Sequence, residues 1–154
     1  MIGKTIYTDY QSPITNHLSS MKNTFTKQER LSGKKTFDAL VRHGEEFYQF
    51  PFRVKWMFVE AEMPFPAQIA FGVPKRTFKK AVTRNRIKRL LRESYRKNKH
   101  SFYDQLKTKN VKVRALFIFT HKEPLELKEA EAKIILTLQR LIKATDGVKG
   151  GTKA

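Results

Sequence analysis

The spacing of apolar residues along the chain is the feature that most constrains its fold. Residues 52–58, 67–73 and 111–120 place apolar side chains at alternate positions, as strands with one buried face do. Residues 79–97 and 127–144 place them three and four positions apart, as helices do. Strands and helices interleaved in this way predict a sheet with helices packed against it.

One more helix is predicted ahead of these strands. Phe37, Leu40 and Val41 recur at helical spacing. Ser32 is a candidate cap at the start of this helix, and Gly44 stands where it would end. With a short additional strand near residues 46–50, the order of elements predicts an α+β fold. We expect a two-layer sandwich in which helices cover a small, mainly antiparallel sheet.

The chain has the length of one domain with two terminal segments. Residues 1–24 are polar, turn-prone and without apolar periodicity, and residues 146–154 are rich in glycine, so both are predicted to be flexible. Residues 25–145 form the predicted domain. No apolar run reaches the roughly 18 residues of a membrane helix, no signal peptide is recognisable, and cysteine is absent. We therefore expect a cytoplasmic protein without disulfides or thiolate metal sites.

The charge of the chain points to a polyanionic partner. It carries 32 Lys and Arg against 14 Asp and Glu, a net charge of +18. Such an excess opposes compaction through self-repulsion, whereas binding of Lys and Arg to nucleic-acid phosphates releases condensed counterions. An anionic membrane is the competing partner, and it would favour a basic helix with a bulky free apolar face.

Residues 75–99 concentrate this charge, with twelve Lys or Arg and a single acid, Glu93. At about 100° per residue, one arc of the predicted helix carries Ile87, Leu90, Leu91 and Ser94. The opposite arc carries Asn85, Arg89, Arg92 and Arg96. One face is thus suited to packing on a sheet, and the other presents a row of guanidinium groups, which bind phosphate in bidentate fashion.

Three other interpretations of this segment are less favoured. A solvated helix would mix acids with its lysines, and here the acids are almost missing. A membrane-surface helix would need a broader apolar arc with Trp or Phe. A DNA-binding basic region would need a dimerising heptad repeat after it, whereas residues 97–100 interrupt the apolar period and predict the end of the helix near Lys97.

The sequence of this segment resembles a known family. The run from Ala81 to Glu93, with Arg84-Asn85-Arg86 continued as Ile87-Lys88-Arg89, is similar to the signature of the bacterial ribonuclease P protein. The strand from Phe71 to Arg76 and the helix from Phe37 to Gly44 are also similar to that family. Pro74 and Arg76 depart from its usual residues, and the N-terminal extension has no counterpart in it.

The resemblance implies a fold with a left-handed βαβ crossover around the basic helix. It also implies that the chain is a subunit of a ribonucleoprotein endoribonuclease that removes the 5′ leader from precursor tRNA. The partners that it implies are the catalytic RNA and the precursor tRNA, with no membrane and no protein partner. The residues that it assigns to RNA binding are Lys75, Arg76, Arg84, Asn85, Arg86, Lys88, Arg89, Arg92 and Arg96. A cleft for the single-stranded leader would include Phe37, Val41, Arg53 and Lys55, although a core Phe and a solvated strand face account for these residues equally well.

The residues themselves predict no catalytic site and no metal site in the protein. The four histidines are scattered and have no metal-ligand spacing. The close carboxylate pairs, Glu45 with Glu46 and Glu60 with Glu62, fall in predicted loop segments. The family resemblance agrees, because it implies that Mg²⁺ ions held by the RNA subunit carry out the hydrolysis. Two alternatives remain: a ribosomal or assembly protein that binds structured RNA, and a nuclease that acts on its own.

Overall fold

The computed structural model describes residues 24–147 of the chain. The predicted flexible segments therefore lie almost wholly outside the described residues. A short 3-10 helix, Lys27–Glu29, leads into α1 (Lys34–His43), β1 (Glu45–Gln49), β2 (Phe52–Phe58), β3 (Ala67–Gly72), α2 (Ala81–Lys109), β4 (Val113–Phe119) and α3 (Leu127–Gly147). This order confirms the α+β prediction, including the short additional strand.

The four strands form one mixed sheet in the order β1-β2-β4-β3. Strands β1 and β2 pair antiparallel, as do β2 and β4, with Phe52 opposite Phe119. Strands β3 and β4 pair parallel, with Ala67 opposite Val113, and α2 connects them. This β3-α2-β4 unit is the βαβ crossover that contains the basic helix.

The main core lies between one face of the sheet and helices α2 and α3. Alternate residues of every central strand are buried there, among them Val54, Trp56 and Phe117, as the period of two predicted. Helix α3 contributes Ile134, Leu138, Leu141 and Ile142 to this core, whereas the neighbouring Ile135 is 38% exposed. No helix within residues 24–147 is long and apolar enough to cross a lipid bilayer.

Helix α1 lies on the other face of the sheet, because the Lys55 ammonium donates a hydrogen bond to the carbonyl of Val41 and Lys55 points away from the buried Trp56. The predicted cap is wrong: Gly33, not Ser32, precedes the helix, with a φ of 95°. Gly44 does end the helix, but in extended conformation with a φ of −74°. Glycine suits this position because a Cβ here would lie 2.5 Å from the carbonyl oxygen of Leu40.

Helix α2 is longer than predicted and continues to Lys109, where Asn110 ends it in the left-handed conformation. The predicted end near Lys97 is wrong because Lys99 is buried within the protein, although its sequence neighbours are polar. Beyond it, Phe102, Tyr103 and Leu106 continue the buried stripe. The basic face therefore occupies only the first half of a 29-residue helix, and the second half belongs to the core.

Candidate nucleic-acid interface

The start of α2 is held in place by one of its own cations. The Nη1 atom of Arg84 donates hydrogen bonds to the carbonyls of Phe78 and Lys79, each at 2.8 Å. The residue before the helix, Lys80, makes no side-chain cap, so Arg84 fixes the geometry of the loop that leads into α2. Arg84, which the family resemblance assigns to RNA binding, thus also has a structural function.

The two arcs of α2 face the directions that the sequence predicted. Ile87, Leu91 and Ser94 are buried against the rest of the domain, and Leu90 is partly buried. Because these contacts fix the rotation of the helix about its axis, the opposite arc must face outward. Asn85, Arg89 and Arg92 are exposed on that arc.

Arg96, the last member of the predicted row, differs from the others. It is half-buried and binds the carboxylate of Glu93 through two of its nitrogens, with Nε donating to Oε1 at 3.1 Å. The hydrogen bond from Arg96 lowers the pKa of Glu93, so this acid stays ionised. The only acid of the segment therefore pairs with the end of the row, and it forms no ion pair with Arg89 or Arg92.

The remaining cations near the start of α2 form no ion pair with any acidic residue that the structure describes. Neighbouring side chains on a helix lie only about 5–6 Å apart, so like charges in such a row repel one another. A surface of this kind is complementary to a chain of phosphates. These unpaired cations are Lys75, Arg76, Lys79, Lys80, Arg86, Lys88, Arg89 and Arg92.

The predicted leader-cleft residues lie on the α1 side of the sheet. The Lys55 ammonium joins β2 to α1 through its hydrogen bond to the Val41 carbonyl, 3.1 Å long. The Val41 side chain is 53% exposed, and Phe37 is half-buried one helical turn earlier. Arg53 shares the strand face with Lys55. The structure thus places all four residues around one face.

Sequence reasoning missed two residues of this face. Glu46 lies 3.8 Å from Arg53 and 3.5 Å from Lys55, so it offsets part of their charge. Tyr48 lies directly opposite Arg53 in the β1–β2 pairing and is 53% exposed. Alternation in β1 places Glu46 and Tyr48 on the same side as Arg53 and Lys55, and the strand prediction for residues 46–50 was the available signal.

One cluster of ionisable groups within residues 24–147 is enclosed by the protein. Glu29 is fully buried and accepts hydrogen bonds from the Lys99 ammonium and from the Tyr103 hydroxyl, the latter 2.6 Å long. The Lys99 ammonium also donates to the carbonyl of Thr24. We call Glu29, Lys99 and Tyr103 the clasp. Since it joins the N-terminal end of the domain to the second half of α2 and has almost no exposed surface, it stabilises the fold rather than contacting a substrate.

The histidines and acids within residues 24–147 form no group of three that could hold a metal ion. Of the described carboxylates, Glu46, Glu93, Glu131 and Asp146 pair with nearby cations. Burial raises the pKa of Tyr95 and of Tyr103, so neither phenol is available as a base at neutral pH.

Comparison with known proteins identifies the family of this chain. The family described as Ribonuclease P matches residues 25–142 of the chain. Two ribonuclease P protein components from strains of Porphyromonas gingivalis are 29% identical over 116 residues, which is 75% of this chain and 85% of the relative.

Solved structures agree with this assignment at the level of the fold. The ribonuclease P protein from Thermotoga maritima is 21% identical, with a TM-score of 0.58 over 73% of this chain and 96% of that one. The ribonuclease P protein from Staphylococcus aureus is 16% identical, with a TM-score of 0.58 over 73% of this chain and 94% of that one. The mixed four-stranded sheet, the basic crossover helix and the matched residues 25–142 together show that this chain belongs to the family of ribonuclease P protein components, which are RNA-binding proteins of tRNA processing.

Proposed function

We propose that this chain is the protein subunit of a ribonuclease P in which it binds the catalytic RNA through the outward arc of α2 and the loop before it. The observation that carries the proposal is the set of unpaired cations between Lys75 and Arg92, which meet no acidic partner in the described part of the chain. Each phosphate that one of these side chains neutralises releases condensed counterions, which favours association.

The opposite face of the sheet is the proposed contact for the 5′ leader of precursor tRNA. Val41 and Tyr48 offer exposed apolar and aromatic surface, and Arg53 and Lys55 offer charge that Glu46 only partly offsets. A face of this mixed character suits a single strand, because unpaired bases stack on side chains while the backbone follows the cations. The protein would thereby hold the scissile bond in register with the catalytic RNA.

The hydrolysis itself is proposed to occur on the RNA, with Mg²⁺ ions held by that subunit as the metal catalyst. The contribution of the protein is affinity and orientation, which raise the rate by holding the reacting groups together.

Cleavage of precursor tRNA tests the function directly. The ribonuclease P RNA encoded in the same genome is incubated with precursor tRNA at low Mg²⁺, with and without the protein. We expect 5′ cleavage that depends on both components. Tight binding to ribosomal RNA without stimulation of cleavage would indicate a ribosomal or assembly protein, and cleavage by the protein alone would indicate a nuclease in its own right.

The role of α2 is tested by the double variant Arg89→Ala/Arg92→Ala. The association constant K for the ribonuclease P RNA is measured at several salt concentrations. If each arginine neutralises one phosphate, the slope of log K against log salt concentration becomes shallower by about 0.7–0.9 for each residue. The fold should remain intact because both side chains are exposed. The double variant Lys128→Ala/Lys143→Ala, which removes two exposed cations from α3, is the matched control and should keep the parent slope. Equal slopes for both variants would refute the assignment of the α2 face.

A further inference from the structure

A pair of partly exposed rings lies at the end of the sheet, outside both surfaces discussed so far. Phe50, in the turn between β1 and β2, is 39% exposed. Its ring centroid lies 5.1 Å from that of His121, and the two planes meet at 75°. The Lys133 ammonium lies 5.3 Å from the centre of the Phe50 ring. The site thus combines two partly open rings with one cation.

The rings are held on a well-connected part of the structure. Thr120, the residue before His121, donates two hydrogen bonds to the carbonyl of Pro51, from its backbone N at 2.8 Å and from its hydroxyl at 3.0 Å. The Tyr48 and Thr120 hydroxyls lie 3.4 Å apart. Arg140 donates to the Gln49 side chain at 3.4 Å. These contacts join the β1–β2 turn to the end of β4 and to α3, so the ring pair is preorganised for a ligand.

A series of ring contacts connects this pair to the start of the basic helix. His121 lies 6.4 Å from Phe119, centroid to centroid, and Phe119 lies 6.1 Å from Phe78. Phe78 is the residue whose carbonyl Arg84 binds at the entrance to α2. The ring pair and the proposed RNA-binding arc are therefore at the same end of the domain, within reach of one RNA.

The charge around the ring pair does not by itself identify a ligand. Residues 122–140 carry four cations and four acids, so this region lacks the large positive excess of α2. A ligand that is held by stacking fits better, because each nucleobase has a π-face and unpaired bases stack on Phe and His side chains. The nearby ammonium of Lys133 suits the phosphate of that nucleotide.

We propose that Phe50 and His121 form a stacking platform for an unpaired nucleobase of the RNA that α2 binds. This inference rests on the proposed function, since it names a second contact with the same partner. Stacking contributes through ring contact rather than counterion release, so its loss should lower the affinity without changing the salt slope.

The first test measures binding of the full chain to the ribonuclease P RNA and to precursor tRNA at several salt concentrations. Phe50→Ala should weaken binding of the ribonuclease P RNA by about 5- to 150-fold, at an unchanged salt slope, and Phe50→Trp should retain parent affinity. The matched control is Leu136→Ala, which removes a similarly exposed apolar side chain from α3 and should bind as the parent does. Parent affinity of Phe50→Ala for the ribonuclease P RNA, or a loss in Phe50→Trp as large as in Phe50→Ala, would overturn the platform.

The second test uses the unaltered protein and so does not depend on how the variants fold. Both RNAs are substituted with 4-thiouridine, irradiated in complex with the protein and digested, and the crosslinked peptides are identified by mass spectrometry. Crosslinks of the ribonuclease P RNA at Phe50 or His121 support the platform, and crosslinks of that RNA confined to residues 75–92 overturn it. If the parent protein bound neither RNA, the proposed function itself would fail, which is distinguishable from a parent that binds normally with an inert Phe50.

Discussion

The clasp yields the most quantitative prediction, through the substitution Lys99→Met. The Lys99 side chain is 3% exposed and the Glu29 side chain is 0% exposed. Methionine keeps much of the length of the lysine but removes its ammonium. Glu29 would then remain buried with hydrogen bonds from the Tyr103 hydroxyl and from the backbone N–H and hydroxyl of Thr26, and no cation would compensate its charge. Removing one partner of a buried ion pair in this way is strongly destabilising.

The expected loss is about 3–5 kcal/mol in the free energy of unfolding. At about 2–4 °C per kcal/mol for a chain of this size, the midpoint of thermal unfolding should fall by about 6–20 °C. Urea unfolding followed by circular dichroism measures the free energy, and a differential scan measures the midpoint. Loss of 3–5 kcal/mol is a large part of the roughly 5–15 kcal/mol that stabilises a typical domain.

Lys97 provides the control on the same helix. Its ammonium lies 3.6 Å from Glu131, but its side chain is 40% exposed. Exposed ion pairs contribute about 0–1 kcal/mol, so Lys97→Met should lie close to the parent. The double variant Glu29→Leu/Lys99→Met should be more stable than Lys99→Met alone, because it leaves no uncompensated charge.

The pH dependence of stability provides an independent test. Burial pushes the pKa of Glu29 upward, but hydrogen bonds from Lys99, Tyr103 and Thr26 outweigh it and hold the pKa below its usual value of 4.5. A carboxyl with a lowered folded-state pKa contributes stability above its unfolded pKa, and this contribution is lost as the pH falls through the folded value. The difference in stability between the parent and Glu29→Gln should therefore be constant near neutral pH and shrink below about pH 4.5.

The reasoning would be refuted if Lys99→Met and Lys97→Met unfolded at the same urea concentration with the same slope. That result would mean that the second half of α2 is held by Phe102, Tyr103 and Leu106 alone. A difference between parent and Glu29→Gln that did not change from pH 7 to pH 3 would likewise show that the carboxylate charge of Glu29 does not stabilise the fold.

Two further substitutions separate structural from binding roles. Arg84→Ala removes both hydrogen bonds to the loop before α2 and should lower the free energy of unfolding by about 1–3 kcal/mol. Arg86→Ala, at an exposed position, should leave that free energy unchanged. Equal urea midpoints for the two variants would contradict this prediction. Gly44→Ala places a Cβ against the Leu40 carbonyl and should lower the free energy of unfolding by about 1–3 kcal/mol through overpacking. A thermal midpoint equal to that of the parent would show that the backbone shifts freely.

Much of the fold was predictable because local periodicity and burial agree in this chain. Strands β2 and β4 alternate in sequence and bury alternate residues, and Phe37 and Leu40 correctly placed α1. The end of α2 was not predictable, because the partner of Lys99 is Glu29, 70 residues earlier in the sequence. A lysine among polar neighbours indicates a solvated position unless such a distant partner is known.

The candidate site was likewise only partly predictable from the sequence. The outward direction of Asn85, Arg89 and Arg92 follows from helical spacing alone, and the structure agrees. The additional role of Arg84 depends on carbonyls that only the folded loop brings near it. The ring pair of Phe50 and His121 is likewise formed between a turn and a strand end more than 70 residues apart, a contact that no local pattern encodes.

The row of like charges on α2 has a consequence for how this protein responds to its ionic surroundings. In the free chain, mobile anions screen Arg89 and Arg92 from each other, so added salt should make folding more favourable. In the complex, the same anions compete with RNA phosphates, so added salt should make binding less favourable. Added salt thus acts with opposite sign on folding and on RNA binding. In the complex, RNA phosphates replace the mobile anions as the counterions of the helix.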